Sequence, residues 1–440
     1  MTERTYYILT FGCQMNKLDS ELAAGQLEMA GYSLAESAES ADLVLLNTCS
    51  VRAKAQVKAT SLLCNFTRDV AGKSGRRIVG IMGCVAQQMQ EKLTEAPYLA
   101  EFVLGSRAVS RLAEVLERLA AGERGILALE EDCASWDYEA ETVSRLNKRS
   151  AYVAISRGCS NFCTYCIVPY VRGPIQHRRP ESIVDEVRSL TDSGYIDICL
   201  LGQNVNAYDY DGCSFVNLLE RVASIGGIRR LRFITTHPKD LCIDTVRMMV
   251  NPPFAPYISL PLQSGSDRIL GLMNRGYTRG QYMEKVSWLK EYLPGAFIST
   301  DIMVGFPGET EADFEDTLEI VRKAQFDNIY SFVYSTRPRT KAASLMSDVP
   351  DEVIKARFKR LLALQRQNHI DRLKRFVGET VEVLIDGVSK KDKGAPCGRT
   401  PQHVIVNLPH DKCDVGELVE VTITGAGIRT LLGKVTKRIL

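Results

Sequence analysis

The chain has 440 residues, 45% apolar and 25% charged, with a formal net charge of +2, the composition of a globular protein of two to three domains at about 100 to 200 residues each. No apolar run approaches the roughly 18 residues of a membrane span, and Met1-Thr2-Glu3-Arg4 does not open a charged-then-apolar leader. A cytoplasmic protein with no membrane partner is therefore expected, and in that reducing compartment thirteen cysteines point to metal ligation rather than disulfides.

Residues 1–122 repeat one pattern, in which an apolar run ends in a cysteine and a helix-like segment follows. Tyr6-Tyr7-Ile8-Leu9-Thr10-Phe11-Gly12-Cys13 is the first case, Asp42 to Cys49 the second and Ile78 to Cys84 the third. Continuous apolar runs alternating with helical segments predict a doubly wound parallel sheet covered on both faces. Ligands of such sheets bind at the carboxyl ends of the strands, so Cys13, Cys49 and Cys84 are expected together on one edge. Each alone could equally be a buried core thiol.

Residues 123–149 turn polar, with Glu130-Glu131-Asp132 and Asn147-Lys148-Arg149, and predict a linker. A second domain is expected over 150–375. Apolar runs at Tyr152–Ile155, Asp197–Leu201, Leu231–Thr235, Tyr257–Leu262, Phe297–Val304 and Ile329–Tyr334 alternate with helical segments such as Pro180–Ser193 and Glu311–Ala324, the latter capped by Thr310. Six such units predict an incomplete (β/α)6 barrel with its chemistry at the carboxyl ends of the strands. Cys159, Gly202, His237, Gln263 and Gly305 fall there. The segment 351–375 is strongly basic, which suits either a solvated helix face or RNA contact. Residues 376–440 change to short alternating runs separated by Asp386-Gly387 and Gly425 to Gly427, the pattern of a small β-barrel of a kind that often binds nucleic acid.

Directly after the first strand of the middle domain stand Cys159, Cys163 and Cys166. A four-iron cluster that only carries electrons takes four thiolates, so three close cysteines suggest one iron open to a non-protein ligand. Three structural or zinc-binding thiols are the alternative. Structural zinc takes four ligands, usually from paired knuckles, and only His177 stands nearby.

The triplet's spacing resembles that of the radical SAM enzymes, in which the open iron binds S-adenosylmethionine and an electron cleaves it to a deoxyadenosyl radical. The chain as a whole resembles the methylthiotransferases, and within them the MiaB type acting on isopentenylated adenosine in tRNA. The matching stretches are Thr10 to Asn16, Leu46 to Cys49, Met82 to Gln87, Ser156 to Pro169, Leu201 to Asn206, Gln263 to Ser266 and Val304 to Thr310, and Gly398 to Gln402 resembles the TRAM domain. The resemblance implies two 4Fe-4S clusters, one on Cys159, Cys163 and Cys166 and an auxiliary one on Cys13, Cys49 and Cys84. It also implies two uses of S-adenosylmethionine, as methyl donor and as radical source, for attack at carbon 2 of the adenine. An electron-donor protein, a sulfur source and tRNA are the implied partners, and a monomer is expected.

Tyr165, Gly202, Gln203, Asn204, Gln263, Ser264 and Asp301 are candidate cofactor contacts, with loop packing or helix capping as the alternative for each. Arg172, Arg178, Arg179 and Arg399 are candidate phosphate contacts, each of which could equally be solvated. Two stretches depart from the family pattern: Val171 to Pro180, and Tyr334 to Lys341, where Arg339 and Lys341 replace an expected glycine and a small residue or proline. Competing readings are a sister methylthiotransferase acting on threonylcarbamoyl adenosine or a ribosomal-protein aspartate, and a non-catalytic iron–sulfur RNA-binding protein.

Overall fold

A computed structural model describes residues 4–50, 53–70, 77–129, 143–346, 349–389, 392, 394–409 and 411–440. Strands β1 (Arg4–Thr10), β2 (Tyr32–Leu34), β3 (Leu43–Thr48), β4 (Ile78–Gly83), β5 (Phe102–Gly105) and β6 (Ile126–Ala128) form one sheet in the order β2-β1-β3-β4-β5-β6, with every pair parallel. Helices α1 (Gln14–Met29) and α4 (Leu112–Ala120) cover one face, where Ala23, Leu27, Leu112 and Val115 pack on Leu43 and Leu45. Helices α2 (Ala53–Val70) and α3 (Cys84–Met89) cover the other, where Leu63, Phe66 and Ala86 pack on Val44 and Leu46. Because both faces are covered, the run Leu43–Leu46 is apolar at every position. The chain steps outward from β1 to β2 and the opposite way from β3 to β4, so the switch point of this doubly wound sheet lies between β1 and β3.

The expected linker starts too early. β6 pairs with β5 from Ile126 to Ala128, so the first domain continues past residue 122; the Glu130–Asp132 stretch lies outside the described residues.

The middle domain begins with β7 (Ser150–Ala154) and the short β8 (Ser156–Arg157), which runs through α5 (Val168–Val171) to its antiparallel partner β9 (Gln176–His177). There follow α6 (Pro180–Asp192), β10 (Asp197–Leu201), the ribbon β11 (Asp209–Tyr210) and β12 (Cys213–Ser214), α7 (Phe215–Ala223), β13 (Arg230–Phe233), α8 (Ile243–Met248) and β14 (Tyr257–Ser259). Helices α9 (Asp267–Leu272) and α10 (Arg279–Tyr292), β15 (Phe297–Val304), α11 (Glu311–Ala324), β16 (Asn328–Val333) and α12 (Asp351–Lys374) complete it. Strands β7-β10-β13 and β14-β15-β16 form two parallel triplets, joined where Leu231 bridges to Phe254. This is the expected six-stranded partial barrel. Thr310 caps α11 through its side chain, reciprocated by Asp313.

The first domain packs against this barrel. Met15 and Leu18 of α1 pack on Ala154, Cys199 and Leu201, side chains on the face of β7 and β10 opposite to their helices. The basic stretch is one helix, α12, and three of its arginines with its C-cap Arg375 fasten it to the barrel: Arg357 to Glu309 and Glu311, Arg360 to Glu311 and Glu315, and Arg372 and Arg375 to the buried carboxylate of Asp327.

Strands β17 (Thr380–Val388), β18 (Pro396–Arg399), β19 (Ile405–Asn407), β20 (Leu418–Ala426) and β21 (Leu431–Arg438) close into a barrel in the order β17-β18-β19-β21-β20. Its core continues into Tyr257 and Phe297, the first residues of β14 and β15. Arg230, the first residue of β13, donates to Glu382 at 2.9 Å, and Arg232 pairs with the ring of His403 at 2.9 Å. The small barrel thus closes the amino-terminal end of the large one. Among the described residues no helix is long and apolar enough to cross a membrane.

Candidate functional site

Cys13 follows β1, Cys49 follows β3 and Cys84 opens α3 at the end of β4, so the three strand ends bring these thiols to one edge around the switch point. Gly12 shows why the turn off β1 carries no side chain: at φ +133° a Cβ there would lie 2.6 Å from the Cys49 Cβ. A polar lattice fixes the edge. Asn16 accepts from the Cys13 thiol at 3.2 Å and donates to Asn47 at 2.9 Å and to the Thr48 carbonyl at 3.0 Å. Asn47 donates in return to the Asn16 carbonyl and to Ser20, and Thr48 donates to the Met82 carbonyl. Asn16 and Asn47 are fully buried; they lie in the stretches Thr10–Asn16 and Leu46–Cys49, but nothing local marks them as partners thirty-one residues apart.

The triplet loop lies at the carboxyl end of β7. Gly158 leads into it at φ +76°, where a Cβ would lie 2.1 Å from the Pro174 carbonyl oxygen, and the Gln203 side chain accepts from the Gly158 N–H. Thr164 is held by backbone bonds to Met273 and Ala342. Arg275, 5% exposed, donates to the Cys163 sulfur at 3.3 Å, to the Tyr165 hydroxyl at 3.4 Å and to the Pro261 carbonyl at 3.1 Å. Burial pushes the Cys159 thiol up, and pushes Cys166 up to about 12 with the neighbouring triplet sulfurs adding to it. Burial also pushes Cys84 up, against the pull of Arg172. Thiols so placed ionise when iron replaces their protons.

Among the described residues no three His, Cys, Asp or Glu side chains converge tightly enough to share a single metal ion. A cube of four irons and four sulfides is wider and takes thiolates that stand apart.

Around the triplet, several buried polar atoms have no partner within the protein: Ser156 Oγ, Asn161 Nδ2, Asn204 Oδ1 and His237 Nε2. Buried polar atoms are ordinarily satisfied, so this set of donors and an acceptor fits a polar ligand beside the cluster loop, as the amino, carboxylate and hydroxyl groups of S-adenosylmethionine would be. His237 is the residue whose role sequence reasoning missed. Its Nδ1 accepts from the Lys239 N–H at 3.2 Å, which leaves the proton on Nε2, and burial holds the ring down at about 2, with Arg275 and Lys239 acting the same way. It is a neutral donor in the loop that follows β13, at the start of the turn Pro238–Asp240.

The other candidates divide. Asn204 is buried, with its Nδ2 on Asp240 at 2.7 Å. Gly202 presses on Ser156, where a Cβ would lie 2.3 Å from Oγ. Gln263 adopts φ +70° and bridges to Ile302, with its N–H on the Asp301 carbonyl. Tyr165 packs with Phe306 and Met273. Ser264 is fully buried and turned toward Thr317 of α11 at 3.4 Å, so its side chain packs the loop. Arg339 stands at φ +67°, the left-handed region that suits the glycine expected there.

Two of the expected phosphate contacts are corrected. Arg178 is 1% exposed and paired with Glu186, and Arg172 is 4% exposed and paired with Asp19 at 2.6 Å. Buried guanidiniums engaged by carboxylates present no face to a phosphate. Arg179 is exposed at the start of α6, and Arg399 pairs with Asp386 on the small barrel.

Residues 153–321 match the family model described as the radical SAM superfamily, residues 5–105 that of Uncharacterized protein family UPF0004, and residues 374–436 the TRAM domain. Among solved structures, the radical S-adenosylmethionine methyltransferase TsrM from Kitasatospora setae superposes with a TM-score of 0.56 at 16% identity, over 78% of this chain and 74% of that one, a likeness of fold. Curated proteins named tRNA-2-methylthio-N(6)-dimethylallyladenosine synthase are much nearer in sequence. That of Moorella thermoacetica is 41% identical over 98% of both chains, and that of Pelotomaculum thermopropionicum 40% identical over 98% of this chain and 97% of its own. The matched family models and these relatives define a radical SAM enzyme with an added α/β domain and a TRAM barrel. The chain belongs to the tRNA-2-methylthio-N(6)-dimethylallyladenosine synthase family.

Proposed function

We propose that this protein is a radical SAM methylthiotransferase that adds a methylthio group to carbon 2 of N6-isopentenyladenosine next to the anticodon in tRNA. The observation that carries the reading is the pairing of two three-cysteine sites, each on the carboxyl edge of its own parallel sheet, across one buried seam where Cys84 packs with Ile167 and Val171. Cys159, Cys163 and Cys166 hold one 4Fe-4S cluster, and Cys13, Cys49 and Cys84 hold the auxiliary one. When bound, the clusters supply an electron and open iron sites, and S-adenosylmethionine supplies both the methyl group and the hydrogen-abstracting group that an unactivated ring carbon requires.

The chain's own residues orient and exclude. Cys49, Cys84 and Cys163 are buried, which keeps water from the sulfurs. Arg275 steadies Cys163, and Asn16 steadies Cys13. His237 Nε2–H and Asn204 Oδ1 serve as donor and acceptor to S-adenosylmethionine, with Gly202, Gln263, Tyr165 and Asp301 shaping the pocket. Arg179, Arg399 and the exposed Lys355, Lys359 and Arg366 of α12 meet RNA phosphates, which position the substrate without reading sequence. An electron-donor protein and a sulfur source serve the reaction in the cytoplasm. The proposed units are an N-terminal domain through β6, the partial barrel with α12 over 150–375 and the TRAM barrel over 376–440.

Nucleoside mass spectrometry on tRNA carrying isopentenyladenosine tests this, after anaerobic incubation of cluster-loaded protein with reductant, sulfide and S-adenosylmethionine. The methylthio derivative is the expected product. Deoxyadenosine without that product moves the substrate to the sister reactions, and the absence of both overturns the enzyme reading.

Two variants probe the pocket and the edge. His237→Ala is expected to weaken S-adenosylmethionine binding by about 1 kcal/mol, roughly fivefold, with His237→Gln recovering most of it because its amide restores a donor; equilibrium dialysis on cluster-loaded protein checks this. Gly12→Ala is expected to cost the auxiliary cluster, since the new Cβ meets Cys49, and the iron content should fall from two clusters to one.

A further inference from the structure

A side chain from the segment after the triplet reaches the N-terminal cysteine site. Cys166 leads directly into α5, whose Val171 packs with Ile167 against Cys84. Arg172 follows. Its Nε–H donates to the Cys84 sulfur at 3.3 Å and its Nη2 to Asp19 Oδ2 at 2.6 Å. The Ser106 hydroxyl donates to the Val171 carbonyl, so the turn that carries Arg172 is fastened to the N-terminal domain from a second side. Asp19 is 6% exposed and Arg172 4%. A buried guanidinium persists where its charge and donors are used, and a neutral thiol is a weak acceptor for it. A ligand sulfur carrying cluster charge is the acceptor that suits this donor.

We infer that Arg172 sets the redox poise of the auxiliary cluster from the neighbouring domain: its hydrogen bond to the Cys84 sulfur, with its charge fixed by Asp19, makes that cluster easier to reduce. This rests on the assignment of Cys13, Cys49 and Cys84 as ligands made above. One-electron reduction, with the electron drawn from an external reductant, adds one negative charge to the iron–sulfur core. A donor and a cation at a ligand sulfur stabilise that reduced form more than the oxidised one, and hydrogen bonds to sulfur are among the determinants of cluster potential. Asp19 acts in the opposite sense, because its carboxylate offsets part of the cation's field. Arg172 is in this sense a positioning residue, acting through Cys84.

The test uses full-length protein with Cys159, Cys163 and Cys166 all changed to Ala, so that the auxiliary cluster stands alone. After anaerobic loading with iron and sulfide, iron content is measured and the cluster is titrated with dithionite under electron paramagnetic resonance. Arg172→Gln is expected to lower the midpoint by at least a tenfold change in the reduction equilibrium, about 59 mV for one electron. Arg172→Lys, which keeps the charge, should recover part of that shift, and Asp19→Asn should raise the midpoint. Opposite signs are the signature. An ion pair that only holds the domains together would move both variants the same way, and that result, or two unchanged midpoints, overturns the inference. If Arg172→Gln does not retain iron, Asp19→Asn decides alone: a rise supports the inference, and a fall or no change overturns it. A parent protein that takes up no iron overturns the ligand assignment itself, and the inference with it.

Discussion

Replacing Cys13 by Ala is expected to leave cleavage of S-adenosylmethionine intact and to stop formation of the methylthio nucleoside, whereas replacing Cys159 by Ala should stop both. The asymmetry follows from the architecture. Cys13 ends a strand of the N-terminal sheet and Cys159 follows a strand of the partial barrel, so each substitution strips one site and leaves the other's sheet, loop and neighbouring arginine in place. Disturbing the outer partners of a metal ligand costs roughly 10–100-fold, and losing the ligand should exceed that. Deoxyadenosine release and nucleoside mass spectrometry on the same reaction separate the two activities. Methylthio product from Cys13→Ala would remove the auxiliary-cluster assignment.

The largest effect on stability is expected at Glu186. Its carboxylate, 1% exposed, lies between Arg178, itself 1% exposed, and Arg145 at 2.6 Å, and Arg145 reaches on to Glu21 of α1 at 3.2 Å. Glu186→Ala leaves buried guanidiniums without this counter-charge, a change that costs about 3–5 kcal/mol. The exposed pair Arg221–Glu181, at 3.1 Å, supplies the control, since Glu181→Ala should cost about 0–1 kcal/mol. Urea unfolding followed by circular dichroism checks both, with a marked fall in the midpoint of the first transition expected for Glu186→Ala alone. Equal midpoints would mean that the buried network relaxes around the gap.

Much of this fold was legible because its strands are covered on both faces, so that runs such as Leu43–Leu46 read as unbroken apolar segments. Strand β6 was not: three residues after Gly125 carry too little pattern to stand out from a polar stretch, and only pairing with β5 makes them a strand. The same limit separates the site residues. The cysteines announce themselves by spacing and by their position after apolar runs. Arg172 and Arg178 follow a motif in a charged segment and read as surface cations, because the carboxylate that claims Arg172 lies 153 residues away in sequence and Glu186 lies on a helix whose buried face the charges disguise. His237 was placed at a strand end, but its role depends on a backbone N–H two residues on and on a buried Nε2 that no protein group engages, neither of which is written in residue types. Arg339 is the reverse case. The expectation of glycine there was sound, and the backbone adopts the glycine-like conformation without one.

The TRAM barrel meets the first residues of β13, β14 and β15, while the cysteine loops lie beyond the last residues of the barrel strands. The eight residues of β15 span roughly 26 Å at about 3.3 Å per residue. A substrate gripped by the TRAM barrel is therefore held about a barrel's depth from the reacting edge. On the proposed reading the two ends work as handle and blade, and a molecule too short to bridge them, such as a lone nucleoside or a trinucleotide, loses the handle altogether. Substrate choice then begins with reach, before any base is read.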